Sequence, residues 1–441
     1  MPAATVPVDR AVQAIVQRIL ALGDKVQGMG KTEREFRRAI QELACVLEAE
    51  VLNRQAEKVE TSCPDCGEGL VRVKRRERHL QTVHGEIRMK RAYGCCRTCG
   101  QWVAPADRAW GLEDSGEMSP LLRDIVSWVA TVTVAVATSQ AVEKTMGIEV
   151  CPAQVDREAK RAGERAVAQR REATEQAVDV EGRKAVMTEA RKRCPSEPFV
   201  LVVMADGWMI SERWEWHEVK GGTVFRLDQR GQKGKRPIIT EREYVATREG
   251  PEVLSEILWA AALRRGLAQA SEVLFIADGA VWIWNLQRDR FHRARCLLDF
   301  PHGRQHLWAV AHELYGMGTE EARQWVEPLI HQLRHGPAAD VIQTLDDLKA
   351  VVRKPKHRQV IEREKHYFET HRDHLDYVTF EQLGYPLGSG AMESACKQFQ
   401  TRFKRSGQFW TQPGDEKLLC LTTYRMSGRW HELWPHLQEA A

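Results

Sequence analysis

The chain has 441 residues, 43% of them hydrophobic, which is longer than one ordinary domain and enough for a sizeable buried core. With 65 basic against 61 acidic residues the net charge is only +4, so bulk charge singles out no class of partner. No apolar run reaches the roughly 20 residues that cross a bilayer, because the best stretch, Val126 to Ala137, is interrupted by Ser127, Thr131 and Thr133. A basic segment leading into an apolar one with a small-residue cleavage site is also missing at the start, so no secretory signal is expected and the cytoplasm is the expected compartment.

In chain order, Val12, Ile15, Val16 and Ile19 recur at helical spacing, as do Phe36, Ile40, Leu43 and Leu47, and Thr32 with Glu35 forms a capping-box pattern. A helical hairpin over residues 1–60, packing or dimerising through these apolar stripes, is the expectation. Five of the eleven cysteines then crowd one short region: Cys63, Cys66, Cys95, Cys96 and Cys99. Cys63-x-x-Cys66 and Cys96-x-x-Cys99, separated by a hairpin-sized interval, supply four thiolates for a tetrahedral metal, so residues 61–104 read as a zinc ribbon with structural Zn2+. Only Cys96, not Cys95, gives the two-residue spacing with Cys99. The hairpin arms, Leu70 to Arg75 and Gly85 to Tyr93, carry basic runs at Lys74, Arg75, Arg76 and Arg78 and at Arg88 to Arg91. Such runs are either phosphate contacts or solvated surface.

Pro105, Asp107 and Gly111 mark a linker, after which helices resume. Ser139 to Met146, Gly147, and Pro152 to Arg165 together have a helix-turn-helix pattern, either a DNA-reading element or an ordinary helical pair. From Ala153 to about Arg193 the chain is rich in Ala, Glu and Arg, as in a long solvated spacer helix, which completes a helical region over 105–194. The composition then turns strand-like. Phe199 to Met204 is an apolar run ending at Asp206-Gly207, and alternating stretches follow at Arg213 to Lys220, Thr223 to Leu227 and Tyr244 to Thr247. After a helix across Val253 to Leu267, a second apolar run, Val273 to Ala277, ends at Asp278-Gly279, and a third, Cys296 to Leu298, ends at Asp299. This order matches the mixed sheet of a ribonuclease H-like core over 195–317, giving an α/β multidomain chain. Charged helices over 318–385 form a helical insertion, and a helix from Ala391 to Phe403 with a Trp-bearing tail closes the chain over 386–441.

Asp206 and Asp278 each end a buried strand, where ligands bind parallel-type sheets, and each precedes a glycine that permits a sharp turn and leaves room beside the acid. Carboxylates converging from separate elements suit hard divalent cations and metal-assisted phosphoryl transfer. Two ordinary aspartate-glycine turns would give the same pattern, and local reasoning does not choose a third acid among the many C-terminal glutamates.

The stretches VVMADGWMISERWEWHEVK, LFIADGAVWIWNL, LLDFPHGRQHLW and LGSGAMESACKQFQTRFKRSGQFW, in that order, resemble the catalytic blocks of ISKra-type insertion-sequence transposases, a DDE family related to the mutator-like transposases. CPDCG and YGCCRTCGQWVAPAD resemble that family's cysteine block, so the likeness runs from about Thr61 onward. It implies catalytic acids at Asp206, Asp278 and Glu393 holding Mg2+ or Mn2+, strand cleavage and strand transfer on DNA, terminal inverted repeats and target DNA as partners, a homodimer or higher oligomer on DNA, and a nucleoid-associated location. Other readings of the same residues are a ribonuclease H-like nuclease without strand transfer and a domesticated DNA-binding protein that does not cut. Asp299 and His302 resemble the acid-x-x-histidine block of mutator-like enzymes; an N-cap on the following helix is the alternative. On the helix bearing Glu393, Lys397, Gln400 and Lys404 lie along one face, and with Arg402 and Arg405 they are candidate DNA contacts. Many DDE enzymes carry a basic residue seven positions after the glutamate; here that position is Gln400, which leaves Lys397 or Lys404 for the role. Of the tryptophans near these blocks, Trp208, Trp282, Trp284 and Trp410, the last is the candidate for stacking on an unpaired base.

Overall fold

The computed structural model describes residues 8–112, 116–213, 215–233 and 236–437. Trp214, within one of the alternating stretches, lies outside them. The chain divides into two units, residues 1–162 with 430–441, and residues 163–429.

The first unit opens with α1 (Val8–Leu20) and α2 (Met29–Lys58). The capping box expected at Thr32 does not form: α2 starts one turn earlier, with Gly28 as N-cap and no side-chain cap, and the Thr32 hydroxyl instead turns back to the Gly28 carbonyl. The face of α2 that packs is also not the expected one. Cys45, Ala49 and Leu52 lie against Leu80, Ile87 and Met89 of a hairpin, β1 (Val71–Gln81) and β2 (Glu86–Cys95), while Phe36, Ile40 and Leu47 stay exposed. A short β3 (Trp102–Val103) completes this antiparallel sheet. In place of the expected linker comes α3 (Pro105–Ala109), whose Asp107 accepts two hydrogen bonds from Arg91 (2.9 and 3.0 Å) and pairs with Arg78 at 2.7 Å. Next, α4 (Pro120–Ala130) and α5 (Ala135–Met146) share a core of Leu122, Val126, Val142, Ile148 and Val155. α5 ends at Gly147 with φ +73°, a left-handed conformation that suits glycine.

The expected single spacer helix is two helices, α6 (Pro152–Val178) and α7 (Val180–Arg193), broken where Asp179 caps the second by accepting from the Gly182 N–H. A mixed five-stranded sheet follows. β4 (Val200–Ser211) pairs antiparallel with β5 (Trp216–Arg226), which merges two stretches that the sequence pattern separates. A hairpin not expected from sequence, β6 (Arg230–Lys233) and β7 (Arg236–Ile239), precedes β8 (Glu243–Thr247), antiparallel to β5. Then come α8 (Pro251–Arg264), β9 (Glu272–Ala277) parallel to β4, α9 (Val281–Arg290), and β10 (Arg295–Leu298) parallel to β9. The strand order is β10-β9-β4-β5-β8.

Both faces of this sheet are covered, and consecutive glycines on β5 show how closely. A Cβ on Gly221 would lie 2.5 Å from the Trp208 ring and 2.9 Å from Met392, whereas one on Gly222 would lie 2.7 Å from Leu258 of α8. Neighbouring residues of a strand face opposite ways, so two helices press on opposite faces of the same strand. This explains the unbroken apolar run Leu201–Met204, which is fully buried.

Past the sheet, α10 (Phe300–Tyr315) leads into α11 (Glu320–His335), α12 (Ala338–Val351), α13 (Pro355–Thr370) and α14 (Tyr377–Gln382), so residues 318–385 are helical without strands. Finally α15 (Gly390–Phe403) carries Met392, and α16 (Gly414–Met426) closes the second unit. Buried Glu416 of α16 is satisfied by Arg170 (2.6 Å), the Thr247 hydroxyl (2.9 Å) and the Arg248 N–H (2.7 Å). No helix among the described residues is long and apolar enough to cross a membrane.

Candidate functional site

Parallel pairing of β4 with β9 stops at Ala205 opposite Ala277, and that of β9 with β10 at Ala277 opposite Leu298. The next residue on each strand is an aspartate. Asp206, Asp278 and Asp299 therefore stand level on three adjacent strands, at the spacing of roughly 4.8 Å set by sheet hydrogen bonding. Asp206 is not the end of its strand: β4 continues to Ser211, paired only with β5, and the acid marks where its parallel neighbour ends. Neither Gly207 nor Gly279 makes a left-handed turn. Their role is room, since a Cβ on Gly207 would lie 2.5 Å from a Glu218 oxygen and one on Gly279 would overlap the Tyr367 ring.

Asp206 is mostly buried and its carboxyl is pushed above the usual range, chiefly by burial. The Asp278 charge adds to the rise, while the Cys396 thiol (3.3 Å), the Gly207 N–H (2.7 Å) and His302 oppose it. Asp278 accepts the Ala280 N–H at 2.9 Å, and the Trp284 indole N–H holds its backbone carbonyl at 2.8 Å.

Asp299 has no exposed surface. One oxygen accepts the Ser389 N–H; the other accepts the His302 N–H at 3.0 Å and pairs with the His302 ring. It is thus both the N-cap of α10 and the partner of the histidine, and with both oxygens turned to protein it is a positioning residue, tying α10 to the start of α15. Its carboxyl stays below the usual range despite burial, because His302 and the Ser389 N–H hold the anion. The His302 ring is raised, first by the hydrogen bond to Asp299 and then, against desolvation, by the charges of Asp299, Asp278 and Asp206.

Glu393 sits in the first turn of α15, its N–H bonded to Ser389 O at 3.0 Å and its carboxylate 3.7 Å from Lys397 Nζ. Cys396, one turn further on, reaches Asp206, and Phe399 stacks on Trp208 at 4.8 Å between centroids. The Cys396 thiol is pushed far up by burial and by Asp206, so it remains a protonated donor. This thiol was missed from sequence; its only signal is its place three residues after Glu393. Past α15, Trp410 N–H bonds Ser211 O (2.9 Å) and Arg213 N–H bonds Trp410 O (3.1 Å), tying the helix to the far end of β4.

Four thiols meet in the first unit. Cys63 lies 3.9 Å from Cys99 and Cys66 lies 3.5 Å from Cys96, and the four sulfurs all fall within 4.8 Å of one another, so this cluster could hold a metal ion. Two equivalent turns build it, Gly67 N–H to Cys63 O and Gly100 N–H to Cys96 O, each 2.9 Å, with both glycines at positive φ. The Cys99 N–H, 3.3 Å from Cys96 Sγ, pulls that thiol down to about 7. Cys95 bonds the Cys96 carbonyl instead. Among the described residues this is the only group of three or more His, Cys or acidic side chains so tightly gathered, so the Asp206, Asp278 and Glu393 oxygens stand farther apart as a trio.

The candidate DNA contacts divide. Lys397 is 78% exposed, and Lys74, Arg75, Arg76 and Lys404 are exposed, Arg75 beside Glu57 (3.0 Å), Arg76 over the Tyr93 ring (4.3 Å) and Lys404 over that of Trp216 (5.1 Å). Arg405 bonds the Thr401 carbonyl at 2.9 Å. Arg78 is committed to Asp107 and to the Gly116 carbonyl, and Arg402 is buried against Phe403 and Trp410, so neither is available to a phosphate. Trp410, expected to stack on a base, donates its indole N–H to Phe403 O at 2.8 Å and packs on the Phe403 ring. Trp208 is core, and Trp282 lies over Lys220.

A comparison with curated proteins returned no match. The model of the uncharacterised protein family UPF0236 matches residues 28–433, nearly the whole length, and the chain belongs to that family.

Proposed function

We propose that the chain is a DDE transposase of an insertion sequence, which binds terminal inverted repeats and catalyses metal-dependent cleavage and transfer of DNA strands. The observation that carries this reading is the level pair Asp206 and Asp278 at the end of parallel pairing, with Cys396, on the same helix as Glu393, bonded to Asp206. The strand order, three antiparallel strands followed by two parallel ones added beside the first, supports a ribonuclease H-like core.

The residues fit a divalent cation: a carboxyl raised by burial, and further by its neighbour's charge, is the environment that added positive charge relieves. Asp206, Asp278 and Glu393 would hold Mg2+ or Mn2+, which supplies activation of the attacking oxygen and stabilisation of the leaving one. Around them, the chain's own groups do the positioning. Asp299 favours the protonated form of His302, and an imidazolium there can neutralise phosphate charge or give up a proton. Lys397, midway along α15, and Lys404, the residue that caps its end, are both exposed as candidate backbone contacts. The four cysteines fit a structural Zn2+, stapling a hairpin that presents Lys74, Arg75 and Arg76 to DNA. The exposed stripe Phe36, Ile40 and Leu47 on α2 supports a second copy of the chain as partner, as pairing of two DNA ends requires.

The test is an end-cleavage and joining assay on duplexes carrying the repeats that flank the coding sequence, with Mg2+ or Mn2+. The expected result is cleavage and strand-transfer joints, each lost at least about 1,000-fold with Asp206→Asn, Asp278→Asn or Glu393→Gln. Cleavage without joints would make the protein a nuclease, and tight binding without cleavage a DNA-binding relative.

A further inference from the structure

A cavity of about 730 Å³ opens next to Asp278, bounded by Gly279, Trp284, Arg288, His306, Tyr367 and His374 among others. That volume falls within the roughly 300–1,000 Å³ of small-molecule sites. Aromatic and imidazole rings make up much of its lining. Trp284 stacks on His374 (4.0 Å between centroids) and His306 on Tyr367 (3.5 Å), and His371 lies beside both Trp284 and Tyr367.

These walls are built onto the acid site. Gly279 directly follows Asp278, and only a residue without Cβ lets the Tyr367 ring of the helical insertion close against the strand end. Trp284 is locked by its bond to the Asp278 carbonyl. Burial holds His371 down to about 4 and lowers His374 too, disfavouring charge on both rings. Buried Glu364 is taken up by His306 and Arg363. Three polar atoms of lining residues, Tyr367 Oη, His371 Nδ1 and His374 Nδ1, are buried behind the rings without a hydrogen-bond partner. Exposed Arg288 and Arg363 stand at the rim, Arg363 paired with Glu364.

A ring-lined cavity directly beside the acid pair, with an exposed arginine at its mouth, matches a heteroaromatic ring carried on a phosphate chain. We propose that this cavity receives one unstacked nucleobase of the strand whose phosphate lies at Asp206 and Asp278, with Tyr367 and His306 as its stacking wall and Arg288 at the adjoining phosphate. This rests on the DNA reading above. It gives the helical insertion a function, holding the strand at a fixed register relative to the acids.

The test uses the full chain carrying Asp206→Asn, to prevent cutting, and repeat-end duplexes in which a single abasic site is walked through the positions around the cut bond. Tyr367→Ala is expected to weaken binding of the intact duplex roughly 5- to 100-fold, and Tyr367→Phe much less. With the abasic site at one particular position the Tyr367→Ala effect disappears, because there is no base left to stack; elsewhere it persists. If Tyr367→Ala does not fold, His306→Ala, whose side chain is partly exposed, carries the same comparison. A loss independent of abasic position, or no loss, would overturn the proposal while leaving the DNA reading intact. No binding of any duplex by the otherwise unaltered chain would overturn both.

Discussion

Asp206 is costly to the protein that carries it. Its folded-state pKa lies above its unfolded value, so ionising it opposes folding, and stability falls as pH rises from the ordinary carboxylate range through the folded value. Asp206→Asn removes that slope. Without metal, calorimetry across pH is expected to show Asp206→Asn melting at or above the parent temperature at neutral pH, and added Mg2+ raising the melting temperature of the parent but not of the variant. A variant less stable at every pH would mean the carboxylate serves the fold instead. His302 runs the other way. Its raised folded pKa means the Asp299 pair contributes stability that is complete below the ordinary imidazole value and lost as pH rises through the folded one. Asp299→Asn should bring the His302 titration, followed by NMR of its ring protons, back toward about 6.5; an unchanged titration would remove Asp299 as its cause. At this scale the aspartates were legible because an acid after an apolar run is a local pattern. Cys396 and Tyr367 were not, because what they touch is decided by the packing of α15 and α13, far away in sequence.

Among the elements, the cysteine turns were the most legible, since two Cys-x-x-Cys-Gly repeats prescribe both ligand spacing and the positive-φ glycines that make it possible. Their predicted consequence is a metal-dependent hairpin. One zinc per chain is expected, and chelation should abolish the melting transition of the first unit while that of the second persists, read by calorimetry with and without chelator. A metal-free preparation with both transitions unchanged would contradict it. Less legible were the places where local pattern met competition. The Thr32 capping box lost to a helix start capped by Gly28, and the α2 stripe at Phe36 lost the position against the hairpin to Leu52 and the smaller Cys45 and Ala49. Arg78 reads as a phosphate contact in a basic run, yet Asp107, read as a linker residue, claims it.

For the whole molecule, the strand succession was readable because alternating and continuous apolar runs distinguish antiparallel from doubly covered strands. The layering around β5 was not, because Gly221 and Gly222 carry no pattern until Trp208, Met392 and Leu258 are in place. The account turns on whether this architecture gathers Asp206, Asp278 and Glu393 at one cation, although their oxygens are not all within 4.8 Å of one another. A crystal structure of the full chain grown with Mn2+, its anomalous signal marking the ion, measures this directly. The prediction is manganese bound by oxygens of all three, with Glu393 drawn from Lys397. Manganese held by the two aspartates alone, with Glu393 still against Lys397, would contradict it.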